Sequence, residues 1–281
     1  MSRARSVVFL ILPLVFLAGC SAFFDFNLYR DLGLDKTAAP RASDYAGAGG
    51  LDQLAEDLSS PAVIEALKAD PAAKADLVSF LDGIMNGDGT VDSPEEQQAA
   101  ILLADLELKT TNGEEFVNNI VTVLMAPFDP GVKIEDLLRS IIPAEVANDR
   151  PKFTAMIAGL ISANEAYFAL GHSIDNSPTP DGIVDADKSL PPGVNAGDIA
   201  QKAAIAFLAN AIVVEVDEAN APAASDVPDA INQMYNLLYD QASLGSGVTA
   251  GMTMPDPFGT TTPELYAMEA LYNAAGMTVP T

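Results

Sequence analysis

The sequence predicts an all-α protein with two pseudo-repeated helical lobes of about four helices each, a C-terminal helix and a flexible N-terminal tether. From Leu51 onward, apolar residues recur at spacings of three and four, which gives each segment one apolar face at the helical period. The acidic stretch Asn86–Asp92 returns in looser form at Thr179–Asp185, and each copy leads into a helix that opens alike, at Gln97 and at Gln201. We interpret this pattern as an internal duplication whose second copy carries a longer loop, because insertions belong in loops.

Four helix starts are recognisable from local signals alone. Each places a residue with a capping oxygen before a proline, and a proline at the first helical position has no N–H to leave unsatisfied. Glu96, three residues after Ser93, completes a capping box. Asn112-Gly113 predicts a tight turn between two helices. The four pairs are Ser60-Pro61, Asp70-Pro71, Ser93-Pro94 and Thr262-Pro263.

The same signals divide the chain into five predicted segments. The run Ile212–Val216 has strand character, but a single strand would have nothing to pair with, and the run also fits the end of a buried helix. A right-angled solenoid of helix pairs is the alternative architecture, although the sequence has no 34-residue repeat signature. The segments are a signal peptide at 1–19, a lipidated N-terminus and tether at 20–50, a first lobe at 51–126, a second lobe at 127–243, and a long loop with the C-terminal helix at 244–281.

The N-terminus carries the most specific motif in the chain. Arg3 and Arg5 precede the apolar run Val7–Ala18, which ends in the sequence Leu17-Ala-Gly-Cys20. The run is too short to span a bilayer, which needs about 20 apolar residues, but it suits a secretory signal. The Leu-Ala-Gly-Cys sequence resembles the lipobox of bacterial lipoprotein precursors. The resemblance implies cleavage before Cys20, lipidation of its thiol and amine, and a lipid-anchored mature protein. An ordinary cleaved signal or an N-terminal membrane helix is the alternative.

The residue after Cys20 helps to predict whether the lipid anchor lies in the inner or the outer membrane. In Gram-negative lipoproteins, an aspartate at this position is the usual signal for retention in the inner membrane, and this chain has Ser21 instead. We therefore expect an outer-membrane anchor with the body facing the periplasm. Cys20 is the only cysteine of the chain, so no intramolecular disulfide is possible and the fold depends on its core.

The charge of the chain is strongly negative. It has 39 acidic and 14 basic residues, for a net charge of −25 with the histidine neutral. Removal of residues 1–19 takes away Arg3 and Arg5 and no acid, which leaves −27. Such a surface repels nucleic acid and anionic lipid headgroups but attracts cations and basic partners.

The first acidic loop matches part of an EF-hand, in which oxygen ligands at positions 1, 3 and 5, a glycine at 6 and a glutamate at 12 bind calcium. With Gly89 at position 6, four oxygen-bearing side chains occupy ligand positions of the loop. Ile84 at position 1 supplies no side-chain oxygen. The alternative is an Asp-Gly turn, which needs only a residue that tolerates positive φ and a polar cap. The resemblance to EF-hands covers about a dozen residues per copy and does not assign the family. The predicted calcium ligands are Asn86, Asp88, Asp92 and Glu95.

The second acidic loop matches the EF-hand pattern less well. With Gly182 at position 6, position 12 is Lys188, which places a cation where the bidentate carboxylate belongs. Calcium would then need a non-standard geometry. The candidate ligands in this loop are Asp181, Asp185 and Asp187.

Catalytic motifs are missing from the sequence. His172 is the only histidine, so zinc sites built on several histidines or cysteines are excluded. A histidine at a predicted helix end more often interacts with the last carbonyl groups. The chain has no Gly-x-Ser-x-Gly elbow, phosphate loop or dinucleotide fingerprint. We expect a protein that is not an enzyme.

These observations lead to one expected function and two alternatives. We expect a non-catalytic, membrane-anchored lipoprotein that acts as an acidic helical interaction or structural module of the cell envelope, with a protein or small-molecule partner that the sequence does not identify. The first alternative is a calcium-dependent binding protein in which the two loops hold the lobes in register. The second is a ligand-binding accessory of an envelope transport system.

Overall fold

Helices make up the regular structure of the described residues, which confirms the all-α prediction. The computed structural model describes residues 38–86, 91, 93–125, 134–174, 189–220, 227–240 and 263–276. No β-strand occurs in these ranges, and Ile212–Val216 lies inside a helix. A short 3-10 helix at Ala42–Tyr45 precedes ten α-helices in this part of the chain. They are α1 Gly50–Asp57, α2 Pro61–Ala69, α3 Pro71–Met85, α4 Pro94–Thr110, α5 Gly113–Met125, α6 Ile134–Ile141, α7 Arg150–Ile174, α8 Ala196–Asn220, α9 Val227–Tyr239 and α10 Pro263–Ala274.

The helices α2, α3, α4 and α10 begin at the four predicted prolines. The predicted capping box is present: Oγ of Ser93 accepts from the backbone N–H of Glu96 at 3.2 Å, and the Glu96 carboxylate accepts from the N–H of Ser93 at 2.8 Å. The carboxylate of Asp70 likewise caps α3. Ser60 is the exception, because its side chain makes no capping hydrogen bond. Its backbone carbonyl instead accepts from the N–H groups of the first turn of α2.

Two helical hairpins, α3–α4 and α7–α8, flank the two acidic loops. The pair α4 and α7 forms the most extensive packing among the described helices, while α3 packs on α4 and α8 packs on α7. The predicted duplication pairs residues of α3 and α7 that are 93 positions apart, like Gly89 and Gly182. Three such pairs are fully buried at 0% exposure: Ala73 with Ala166, Leu77 with Leu170, and Leu81 with Ile174.

The helices of both predicted lobes contribute to one hydrophobic core. Phe116 on α5 and Phe153 on α7 come from different lobes, and both are among the largest fully buried side chains. Residues 39–281 form one compact unit. The described helices of the two predicted lobes therefore pack together, and the predicted boundary at 126 and 127 lies outside the described residues.

Residues 39–50, the C-terminal end of the predicted tether at 20–50, belong to the compact unit. Tyr45 is only 2% exposed and contributes to the core. Residues 39–50 are rich in small side chains, as a spacer is. Small side chains also let the backbone of this segment pack closely against the body. We call residues 41–45 the N-terminal clamp, since three hydrogen bonds hold them to α1, to the N-cap of α3 and to α3 itself. These are Arg41 Nη2 to Asp70 at 2.9 Å, the Ala42 N–H to Asp76 at 2.9 Å, and the Tyr45 hydroxyl to Asp57 at 2.7 Å.

Among the described helices, α7 is long and apolar enough to cross a membrane by length and composition. However, 56% of its most apolar window is buried within the protein. It packs against α4, α8, α9 and α10. This helix is the centre of the core.

Candidate functional site

A cavity of about 760 Å³ is lined in part by residues that flank the two acidic loops in the sequence. Its volume is in the range typical of sites that bind small molecules, about 300–1,000 Å³. One wall comes from the segment between the N-terminal clamp and α1, and another from the facing ends of α3 and α4, on either side of the first acidic loop. The third wall is the segment between the second acidic loop and α8. The lining residues are Tyr45, Ala46, Gly47, Ala48, Gly49, Gly50, Leu51, Asp52, Phe80, Ile84, Pro94, Glu95, Gln98, Pro191, Pro192 and Val194.

The glycine-rich wall depends on two of its glycines. Gly49 precedes α1 with a φ of +78°, a left-handed conformation that favours glycine. A Cβ at Gly50 would overlap the carbonyl oxygen of Tyr45. The backbone can therefore turn sharply from the buried Tyr45 into α1, which places Leu51 and Asp52 on the cavity.

Two carboxylates give the cavity its charge. Asp52 is in the first turn of α1, and Glu95 is in the first turn of α4. The side-chain Nε2 of Gln98 donates to Oδ1 of Asp52 at 2.8 Å, which links the two helices. Burial, reinforced by the hydrogen bond to Asp57, raises the pKa of Tyr45 above its usual range, so this phenol stays neutral. The described lining contains no lysine, arginine or histidine. The cavity is therefore anionic.

The remaining lining is apolar. Phe80 and Ile84 come from successive turns of α3 and are partly buried. Pro191, Pro192 and Val194 face the cavity from the segment before α8. A ligand with both a charged and an apolar part would find a matching surface for each.

The predicted calcium ligands are only partly described. Asn86 ends α3, where its Nδ2 donates to Oδ1 of Asp82 at 2.8 Å, and Glu95 lines the cavity. Within the described ranges, no group of three or more histidine, cysteine, aspartate or glutamate side chains is placed to hold a metal ion. The calcium prediction stays a prediction. Outside the described residues lie Asp88 and Asp92 of the first loop, Asp181, Asp185 and Asp187 of the second, and the lipidation site Cys20.

His172 lies in the last turn of α7, at a helix end as predicted. Its ring packs edge-on against Phe168, with 4.5 Å between the ring centroids. It is not among the residues that line the cavity.

A second group of ionisable side chains joins α4, α7 and α8. Lys202 is 12% exposed and contacts Asp105 at 3.0 Å and Asp198 at 2.9 Å. Burial lowers the pKa of Lys202, but the two carboxylates outweigh it and raise the pKa overall. Burial and the nearby Asp105 raise the pKa of Tyr167 well above its ordinary value. Each charge has a partner of opposite sign, so the group fits a structural contact between helices.

Sequence reasoning missed the cavity. The stretch from 46 to 50 has the composition of a linker, and the other two walls come from remote parts of the chain. One signal was present: Tyr45 is a large aromatic residue just before a run of glycine and alanine, which marks a point where the chain docks on the body.

No protein-family model, curated protein or solved structure matches the chain.

Proposed function

We propose that the chain is a non-catalytic lipoprotein of the bacterial cell envelope whose acidic helical body is a binding module. Cys20 would hold it by lipid to the outer membrane, facing the periplasm. The observation that carries the proposal is the cavity of about 760 Å³, which is lined in part by residues that flank the two acidic loops in the sequence. Preformed concave sites with apolar walls and a few polar groups are where proteins bind small molecules.

The lining of the cavity supports binding rather than turnover. The described lining contains no serine, cysteine, threonine, lysine or histidine to act as a nucleophile or base. The groups in it that can act as nucleophiles are the carboxylates of Asp52 and Glu95 and the hydroxyl of Tyr45, and Asp52 already accepts a hydrogen bond from Gln98. The hydroxyl of Tyr45 is already engaged by Asp57.

The membrane anchor is supported by the lipobox at Leu17-Ala-Gly-Cys20. The high negative charge agrees with this placement, because an anionic body is repelled from anionic headgroups and stays exposed to solutes. A binding module held in this way would collect its ligand close to the membrane.

The anchor is tested by expressing the full chain in a Gram-negative bacterium fed an alkyne-labelled fatty acid. We expect label on the protein and recovery of the protein in the outer-membrane fraction. Cys20→Ala should lose both, and no other cysteine can take the lipid in its place. Ser21→Asp is the matched control, since by the lipoprotein resemblance it should keep the label and move the protein to the inner membrane. Equal labelling of the wild type and Cys20→Ala would refute the anchor.

A further inference from the structure

The carboxylates of the cavity have no internal counterion among the described residues. All eight described lysines and arginines form ion pairs, and none of these pairs includes Asp52 or Glu95. The pairs involve Arg41, Lys68, Lys74, Lys109, Arg139, Arg150, Lys152 and Lys202.

A cation from solution would supply the missing charge. Asp52 and Glu95 are both exposed, so their carboxylates are accessible to it. Gln98 fixes Asp52 through the hydrogen bond at 2.8 Å, which reduces the entropy lost when a ligand binds. The net charge of −25 also favours the approach of cations from a distance.

The size and the apolar walls of the cavity favour an organic cation over a metal ion. A bare ion would fill a small fraction of 760 Å³ and would leave Phe80 and Ile84 uncovered. The described residues also contain no cluster of three metal-binding side chains. An aromatic ring such as that of Phe80 attracts ammonium groups as well as apolar surface.

We propose that the cavity binds a small organic cation, with an ammonium or guanidinium group paired to Asp52 and Glu95 and an apolar part against Phe80 and Ile84. This inference rests on the proposed function as a binding module and names its ligand class. Anions and neutral molecules of the same shape should bind more weakly than the cation. The carboxylates repel an anion, and a neutral molecule forms no ion pair with them.

The test uses isotope-labelled protein of residues 21–281, which contains the whole compact unit of 39–281 and lacks the lipid site. Phenethylammonium is the probe, and phenethyl alcohol and phenylacetate are its neutral and anionic counterparts. We expect saturable shifts of the amide signals of Gly47, Gly49 and Gly50, with phenethylammonium binding about tenfold more tightly than the alcohol and phenylacetate not binding.

Two variants separate the cavity from the overall charge. Glu95→Gln should weaken phenethylammonium binding by about threefold, as expected for loss of one solvent-exposed ion pair. Glu115→Gln is the matched control, because Glu115 is also an exposed glutamate in the first turn of a helix, α5, and does not line the cavity. It should leave the affinity unchanged. Unshifted amide signals in the rest of each variant would show that the fold is retained.

Three results would overturn the inference: no saturable shift with phenethylammonium, equal affinity for the alcohol, or equal weakening by Glu115→Gln and Glu95→Gln. Failure of the lipid anchor is distinguishable, since labelling of Cys20 is measured on the full chain in cells and does not affect binding by residues 21–281.

Discussion

The side-chain Nε2 of Gln97 donates a hydrogen bond of 3.0 Å to Oγ of Ser173, and both side chains are buried. Oγ of Ser173 in turn donates to the carbonyl oxygen of Leu170 at 2.6 Å. Gln97 is in the first turns of α4 and Ser173 is in the last turn of α7. This contact therefore joins the helix that follows the first acidic loop to the helix that precedes the second.

The contact predicts a difference between two glutamines that the duplication makes equivalent. Gln97→Ala should lower the free energy of unfolding by about 1–3 kcal/mol, because it leaves a buried hydroxyl without a donor and opens a small cavity. Gln201→Ala should change it by less than about 0.5 kcal/mol, since Gln201 is exposed. Urea unfolding measures both, and equal effects of the two substitutions would contradict the assignment.

Two helical glycines offer a second comparison. At Gly171 on α7, a Cβ would overlap the backbone carbonyl of Ala267 on α10. Gly171→Ala should push these helices apart and cost about 1–3 kcal/mol of stability. At Gly83 on α3, a Cβ meets nothing within 4 Å, so Gly83→Ala should stabilise by about 0.5–1 kcal/mol. Thermal melts would show opposite shifts, and a stabilising Gly171→Ala would exclude the close crossing of α7 and α10.

The fold should lose stability at alkaline pH. The pKa values of Tyr45, Tyr167 and Lys202 are all raised by folding. Above about pH 10 the unfolded chain releases these protons first, so the folded state binds more protons and the free energy of unfolding falls as pH rises. The stabilisation that the Lys202 charge contributes is fully present below the ordinary pKa of lysine. It is lost as the pH rises through the raised pKa of Lys202 in the folded state.

Tyr45→Phe tests the contribution of one group. Above about pH 10 the free energy of unfolding falls as pH rises, and Tyr45→Phe should make this fall less steep by up to about 1.4 kcal/mol per pH unit. The reason is that unfolding of the variant releases one fewer proton. Below that pH the variant should be less stable than the wild type by about 1 kcal/mol, because the hydrogen bond to Asp57 is lost. Urea unfolding between neutral pH and about pH 11 measures the slope. An unchanged slope in Tyr45→Phe would contradict the prediction.

Calcium binding by the first loop is tested by thermal melts of residues 21–281, one with EDTA and one with calcium. Calcium at ten times its dissociation constant should add about 1.4 kcal/mol to the free energy of unfolding, a shift of a few degrees. Asp88→Ala should then lower the melting temperature in calcium and leave it unchanged in EDTA. An equal effect of Asp88→Ala in both buffers would assign the loop as an Asp-Gly turn.

What could be predicted from the sequence was local. The starts of α2, α3, α4 and α10 follow from a proline at the first helical position, which acts within one turn of helix. The pairing of Gln97 with Ser173 spans 76 positions and leaves no local signal. The cavity likewise brings together remote parts of the chain, because Tyr45 and Pro191 line one space. Composition also does not distinguish a free spacer from a segment that packs through a single tyrosine, such as the segment around Tyr45.

If the proposed lipid anchor holds the chain at Cys20, the N-terminal clamp has a mechanical consequence. Any pulling force that enters the body through residue 39 reaches the clamp before it reaches a long helix. Hydrogen bonds from Arg41, Ala42 and Tyr45 to three different aspartates would share that load. Because Tyr45 also lines the cavity, a force large enough to detach it would deform the cavity wall.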